Sequence, residues 1–355
     1  MRKHYLDNLR NLTILLLFPV HTFMIWNDFG AKFYVWGGEN KILSSLIVLV
    51  NPWFMPLLFV IAGISARYSL QKRSTKEFVQ ERIRKLLIPF VSGMIFLVPI
   101  QTLYARKFFY DYNGGVIENL KYFYTHLTDF SGYDGGFTPG HLWFILFLFI
   151  ISLLSLIVHR FLPYKKVWKK FADTRVRELL AVLAVIGLFI PIWLFYYLGN
   201  FGGFSLGKNF ALYLAGYYVL SNDAVIEKLE KNIKWIAFVY CVTAIGLTAA
   251  YYQYSYYGDL AVNFIGWMGI LTLLVLGKKY LDKETKFTRY FNRASFPIYI
   301  LHQSILVAIG YYVLSDVEGL IAQVLIVMFG SFILSVICYQ IISYIPYVRK
   351  LIGLN

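Results

Sequence analysis

The sequence predicts an all-α fold: a polytopic integral membrane bundle of about ten transmembrane helices with both termini cytoplasmic. Three observations predict it. The 355 residues are 59% hydrophobic and only 15% charged, with a mean hydropathy of +0.59. Apolar runs of about 17 to 25 residues recur, each long enough to cross a bilayer as a helix. The charges between the runs are sorted by side.

Spans are read in order at 12–27, 43–66, 86–104, 142–161, 178–197, 208–221, 234–254, 261–277, 295–314 and 320–344. The first follows Arg2, Lys3 and Arg10, and no small-residue cleavage site comes after it, so it reads as a retained signal anchor. The second carries FMPLLFVIAGISA, the third follows a basic stretch, and the fourth opens on HLWFILFLF. The sixth is short and flanked by Gly202, Gly203, Gly207 and Gly216, which blurs its edges. The ninth contains SFPIYILHQSIL.

Both termini and the even connections carry 28 of the 34 Lys and Arg residues; the odd connections carry 6: Lys32, Lys41, Arg106, Lys107, Lys121 and Lys208. Acidic residues split 10 against 9. A cation bias without an acid bias is the positive-inside pattern, and it puts the termini in the cytoplasm. The net charge of +15 therefore reports topology and contact with anionic lipid, not a nucleic-acid partner. Multi-pass insertion in a bacterial plasma membrane is the expected location. Cys241 and Cys338 sit inside apolar runs and read as small hydrophobes.

No linker or internal repeat divides the chain, so residues 1–355 read as one transmembrane domain. The outer connection 105–140 is crowded with Phe and Tyr among Asp111, Asp129 and Asp134. It reads either as an interfacial aromatic belt or as a platform that stacks on an extracytoplasmic ligand such as a sugar. The inner connection 67–85, with seven Lys and Arg residues, is an amphipathic basic helix. Its cations either hold the loop inside or seat a phosphorylated cytosolic donor.

The chemistry-bearing residues are few. Arg10 and His21 lie eleven residues apart, about three helical turns, hence on nearly one face and roughly 16 Å apart along the axis. His21 then falls close to mid-bilayer, where an ionisable group is a functional-site candidate. His302 enters its span from the same side to a comparable depth. His141 opens the fourth span at the outer face. His4, His126 and His159 lie at edges or in loops and read as unremarkable. A neutral imidazole can take a proton from a hydroxyl and later return one; an arginine can hold a phosphate or steady an oxyanion. The spans offer His21 no orienting carboxylate, so a backbone carbonyl, Thr22, Asn51 or Tyr299 is expected in that role. There is no Walker loop, HExxH, paired-cysteine metal motif or GxSxG, and no metal is expected.

These residues resemble a known family. Arg10 and His21, in an R-x10-H arrangement, are similar to the first-helix motif of the membrane-bound acyltransferase 3 family. FMPLLFVIAGISARYSL, QERIRKLLIPFV, GHLWFILFLFIISLL and ASFPIYILHQSIL resemble its later stretches in order, with Ala62 where a serine is usual, and the tail from Ile345 to Leu351 also fits. The H-L-W-F helix and the tail resemble the glucan succinyltransferase branch, the glucans biosynthesis protein C group. The resemblance implies a ten-span O-acyltransferase that takes an acyl group from cytosolic acyl-CoA, acetyl-CoA or succinyl-CoA, to a hydroxyl of an extracytoplasmic carbohydrate or cell-envelope glycan. Arg10 and His21 would be the catalytic pair. Arg82 and Arg84 would approach the donor, His141 and Trp143 would shape the acceptor side, and Tyr299 and His302 would line the interior. The rival reading is a transporter or flippase of a carbohydrate or lipid-linked sugar, with His21 and His302 as proton-coupling groups.

Overall fold

The computed structural model describes residues 3–30, 33–165, 178–201, 203–255 and 258–354. Arg2, Lys32 and the basic stretch 166–177, all counted in the charge bias above, lie outside the described residues. The described chain is almost entirely helical. It opens with α1 (His4–Met24), α2 (Lys41–Val50), α3 (Phe54–Leu70) and α4 (Thr75–Arg82). A π turn, Ile83–Leu87, leads to α5 (Ile88–Phe96), α6 (Val98–Tyr110), α7 (Val116–Thr125) and α8 (Trp143–Phe161). Next come α9 (Glu178–Gly187), α10 (Phe189–Phe195), α11 (Leu206–Ala215), α12 (Asp223–Lys231) and α13 (Ile233–Tyr254). The last are α14 (Asp259–Leu281), α15 (Lys286–Asp316), α16 (Leu320–Ser343) and α17 (Val348–Leu351). One antiparallel strand pair, β1 (Asn200–Phe201) and β2 (Phe204–Ser205), precedes α11.

Seven helical stretches among the described residues are long and apolar enough to cross a membrane: Lys41–Leu70, Thr75–Tyr110, Gly140–Phe161, Ile233–Tyr254, Asp259–Leu281, Lys286–Asp316 and Leu320–Ser343. They coincide with seven of the ten expected spans. The other three are helical but fall short, each for a visible reason. The 21-residue α1 carries Asp7, Asn8, Arg10, Asn11 and His21. The run at 178–197 is interrupted at Leu188, leaving two short helices. The run at 208–221 yields the ten-residue α11 and a five-residue π turn.

Helix starts follow the local chemistry. Ser74 and Glu77 form a reciprocal capping box at the head of α4, and Thr285 with Thr288 does the same for α15; each satisfies amides that the first turn leaves open.

The chain divides into two compact units interleaved along the sequence. The first comprises Met1–Arg10, Leu49–Ile83 and Phe147–Lys283; the second comprises Asn11–Val48, Arg84–Leu146 and Glu284–Asn355. In the first, α3 crosses α11 at Gly63. A Cβ there would lie 2.0 Å from the Tyr213 carbonyl oxygen, so only glycine permits the approach. Lipid tails are as apolar as the helix faces, so such close packing, not water exclusion, holds membrane helices together. In the second unit α15 packs along α16 and α6, with Ile25, Trp26, Val35, Leu306 and Val307 in its buried core.

Candidate functional site

The second unit gathers most of the polar side chains singled out above. His21 stands on α1 two residues after Pro19, whose missing amide leaves the Leu15 carbonyl without its helical donor. His302 stands on α15, five residues after Pro297. His21 Nδ1 lies 3.0 Å from His302 Nε2, and the two rings are nearly parallel with centroids 5.1 Å apart. Phe18, one turn before His21 on α1, places its ring edge-on to His302 at 5.6 Å.

The hydrogen-bond partners fix the proton positions. His302 Nδ1 lies 2.5 Å from the Tyr299 carbonyl oxygen. A carbonyl only accepts, so a neutral His302 carries its proton on Nδ1 and presents a lone pair at Nε2. His21 must then donate from Nδ1, and its own lone pair sits on Nε2. No described residue hydrogen-bonds that Nε2, and His21 is only half-buried, whereas His302 is fully buried. The chain of bonds therefore runs from a backbone carbonyl through one imidazole to a second whose Nε2 carries an unshared lone pair.

A second network supports the first. His141 Nε2 donates to the Ile300 carbonyl at 2.9 Å, which leaves His141 Nδ1 as an acceptor for the Gln101 amide at 3.0 Å. Gln101 also donates to Ser304 Oγ at 3.0 Å and accepts from the Gln303 amide at 3.0 Å. Ser304 Oγ donates to the Leu97 carbonyl at 2.9 Å. Tyr299 donates its hydroxyl to the His141 carbonyl. Each of these side chains is nine-tenths or more buried. Gly140 sets up the position of His141: its φ of +50° lies in the left-handed region, and a Cβ there would press on Gln101 Oε1 at 3.3 Å.

The remaining candidates sit elsewhere. Arg10 belongs to the first unit, is partly exposed, and pairs with Asp7 at 2.6 Å. Arg82, also in the first unit, stacks over Phe78 at 4.6 Å and keeps a buried Nε without a partner. Arg84 begins the next segment of the second unit and is exposed. Trp143 opens α8 two residues after His141 and is half-buried. Of the expected orienting groups, Tyr299 serves through its carbonyl, one step removed, while Thr22 Oγ1 is buried with no hydrogen bond. Gln101, Gln303 and Ser304 had not been singled out from the sequence, although two amides inside apolar spans are the usual mark of interhelical hydrogen bonding.

In the outer connection, Arg106 is sandwiched between the rings of Tyr112 at 3.7 Å and Tyr122 at 4.0 Å, and Tyr122 stacks on His126 at 3.7 Å. Much of that aromatic surface is thus spent on itself. Ser131, through its hydroxyl and its amide, holds the Asp129 carboxyl below the usual range, and burial pushes the Tyr133 phenol up to about 12. Among the described residues no three His, Cys, Asp or Glu side chains are grouped to hold a metal ion.

A family model described as an acyltransferase domain, that of acyltransferase family 3, matches residues 3–340. The chain belongs to the acyltransferase 3 family. The match takes in both units and every candidate residue above, and it supports a membrane acyltransferase over a transporter. No curated protein and no solved structure matches the chain.

Proposed function

We propose that this acyltransferase moves an acetyl or succinyl group from cytosolic acyl-CoA to a hydroxyl of an extracytoplasmic carbohydrate or envelope glycan, with His21 as the catalytic base. The observation that carries the reading is the Tyr299–His302–His21 chain of hydrogen bonds, which leaves one imidazole nitrogen unprotonated. His21 Nε2 takes the proton of the acceptor hydroxyl. The oxygen attacks the thioester carbonyl, the C–O bond forms, the C–S bond breaks, and the proton passes from the imidazolium to the leaving thiolate. His302 steadies the imidazolium by accepting from its Nδ1–H, a bond that strengthens as the charge develops.

Arg10, three turns nearer the cytoplasmic end of α1 by the charge bias, is too far from His21 to touch the same carbonyl. Its role is to hold the donor's phosphates, and a pantetheine arm of roughly 15–20 Å spans the difference. Arg82 and Arg84 would meet the nucleotide end, and Trp143 the acceptor. His141 acts through the buried amide network, since both its ring nitrogens are engaged. The protein would lie in a bacterial plasma membrane with both termini inside, and the glucan succinyltransferase branch supplies the first acceptor to try.

The test is thiol release from labelled acetyl-CoA and succinyl-CoA, with mass spectrometry of the glycan product. His21→Ala should abolish transfer in a protein that still inserts and folds. Arg10→Lys should raise the KM for the donor at least tenfold, because a point ammonium does not replace a bidentate fork. An active His21→Ala enzyme refutes the assignment.

A further inference from the structure

The contact between His21 and His302 has a companion on the same two helices. Asn11 Nδ2, on α1, donates to Asn292 Oδ1, on α15, at 2.7 Å, and both residues belong to the second unit. Each contact joins residues 281 apart in the chain. Asn11 precedes His21 by ten residues and Asn292 precedes His302 by ten, so the two helices run parallel and in step over about 15 Å. Ten residues is a heptad plus three, the step from an a position to a d position along the seam of a parallel coiled coil. The seam positions in between, at steps of three and four, are Ile14 and Phe18 on α1 and Ser295 and Tyr299 on α15. All four are buried, between 1% and 5% exposed, and the Phe18 ring meets His302.

Stability does not account for the asparagine pair. Asn11 is 2% exposed, and its Oδ1 is buried without a hydrogen-bond donor. An orphaned buried acceptor costs at least as much as the one hydrogen bond returns, and two apolar side chains would fill the layer without that cost. What apolar layers do not supply is register, because such surfaces pack nearly as well after a slip of one turn. A buried asparagine pair does supply it, since a slip leaves both amides facing hydrocarbon. One turn is about 5.4 Å, enough to carry His21 Nδ1 out of reach of His302 Nε2. Both helices also carry a proline between the two polar layers, Pro19 and Pro297. Each proline removes a helical hydrogen bond, so the helix backbone alone holds the ring contact less firmly.

We propose that the Asn11–Asn292 pair sets the axial register of α1 against α15 and so positions His21 on His302. Both asparagines are positioning residues and act through the histidine pair. The catalytic consequence rests on the proposed function, whereas the register can be read directly.

The test uses the whole chain, isotopically labelled at the histidine nitrogens. Magic-angle-spinning NMR should show a cross-peak between His21 Nδ1 and His302 Nε2, assigned by its loss in His302→Gln. In the double variant Asn11→Leu, Asn292→Leu that cross-peak should vanish while Tm shifts by less than about 4 °C, since exchanging both partners of a bond for apolar groups is nearly neutral. The kcat for thiol release should fall about 2- to 30-fold, as for His302→Leu, with the donor KM unchanged. Added to His302→Leu, the same double substitution should cost nothing more, because it acts through a bond already removed; a purely structural role would lower both backgrounds alike. Asn292→Asp, which keeps the accepting oxygen and the side-chain shape, should retain the cross-peak and most of the rate. A cross-peak that survives in the double variant, or an equal loss of kcat in the His302→Leu background, would overturn the proposal. Loss of the cross-peak in the double variant alongside an active His21→Ala enzyme would uphold the register and sink the catalytic reading instead. Should the double variant fail to fold, Asn292→Val set against Asn292→Asp decides the same question, as only the valine removes the acceptor.

Discussion

Replacing His302 by leucine tests the proposed mechanism most sharply, because it removes the orienting group and leaves the base. In the ground state the 3.0 Å contact between His21 Nδ1 and His302 Nε2 joins two neutral rings, a bond worth about 1 kcal/mol net. In the transition state His21 is becoming an imidazolium, and a hydrogen bond from a charged donor is worth about 1.5–3 kcal/mol. Those interactions vanish together in His302→Leu. The free enzyme loses the weaker bond and the transition state the stronger, so the barrier rises by the difference, about 0.5–2 kcal/mol, and kcat/KM should fall about 2- to 30-fold. Most of the loss should appear in kcat, since the bond strengthens only as the proton moves. His302→Gln, whose amide oxygen can still accept from Nδ1–H, should recover part of the rate. The double variant His21→Ala, His302→Leu should be no slower than His21→Ala alone, because the two act as one unit. The measurement is initial-rate thiol release from folded, detergent-purified variants. His302→Leu turnover within twofold of the unmodified enzyme would refute the relay.

Three further outcomes follow from the packing. Gln101→Leu strips the donor from His141 Nδ1 and the partners from Ser304 and Gln303; at about 1–3 kcal/mol per buried orphan, Tm should fall by several degrees, as thermal unfolding in detergent will show. Gly63→Val drives a side chain into the Tyr213 carbonyl, an overpacking cost of at least about 1–3 kcal/mol, and fluorescence-detected size exclusion should find little monodisperse protein. The Asp129 carboxyl is held below its ordinary pKa by Ser131, so its contribution to the loop is present above the unfolded carboxylate pKa and is lost as the pH falls through the depressed folded value. Hydrogen exchange at the Ser131 amide should report that acid-side loosening, and Asp129→Asn should remove its pH dependence.

Much of the helical architecture was legible because apolar run length alone dictates it. The three expected spans that do not stand among the seven long apolar helices are those where length and polarity compete. The run at 178–197 is apolar throughout, yet the helix breaks at Leu188, and α1 is long enough but too polar to count as a spanning helix by composition. Arg82 and Arg84, two residues apart in the sequence, fall on opposite sides of the boundary between the two units, with Arg84 inside the π turn Ile83–Leu87. His141 at the head of α8 has both its ring nitrogens taken up inside the buried network, partners that its sequence neighbours do not reveal. The depth match of His21 and His302 was visible; their contact was not, because 281 residues separate them and no local pattern reports a pairing at that range.

The absence of an orienting carboxylate in the spans then acquires a physical reason. A carboxylate behind His302 would bury a full charge in a bundle with little water, at a desolvation cost that its hydrogen bond need not recover. The Tyr299 carbonyl fixes the same tautomer with no net charge, and it is supplied by the helix that carries His302, one turn earlier. Orientation by a backbone group cannot be removed by substituting its own side chain. Tyr299→Phe should therefore cost little beyond the bond to the His141 carbonyl, while displacing the backbone at Tyr299 should disable a His21 that is chemically unchanged. The polarity of this chain of bonds is set by the α15 backbone, and the candidate base is only as well placed as that helix.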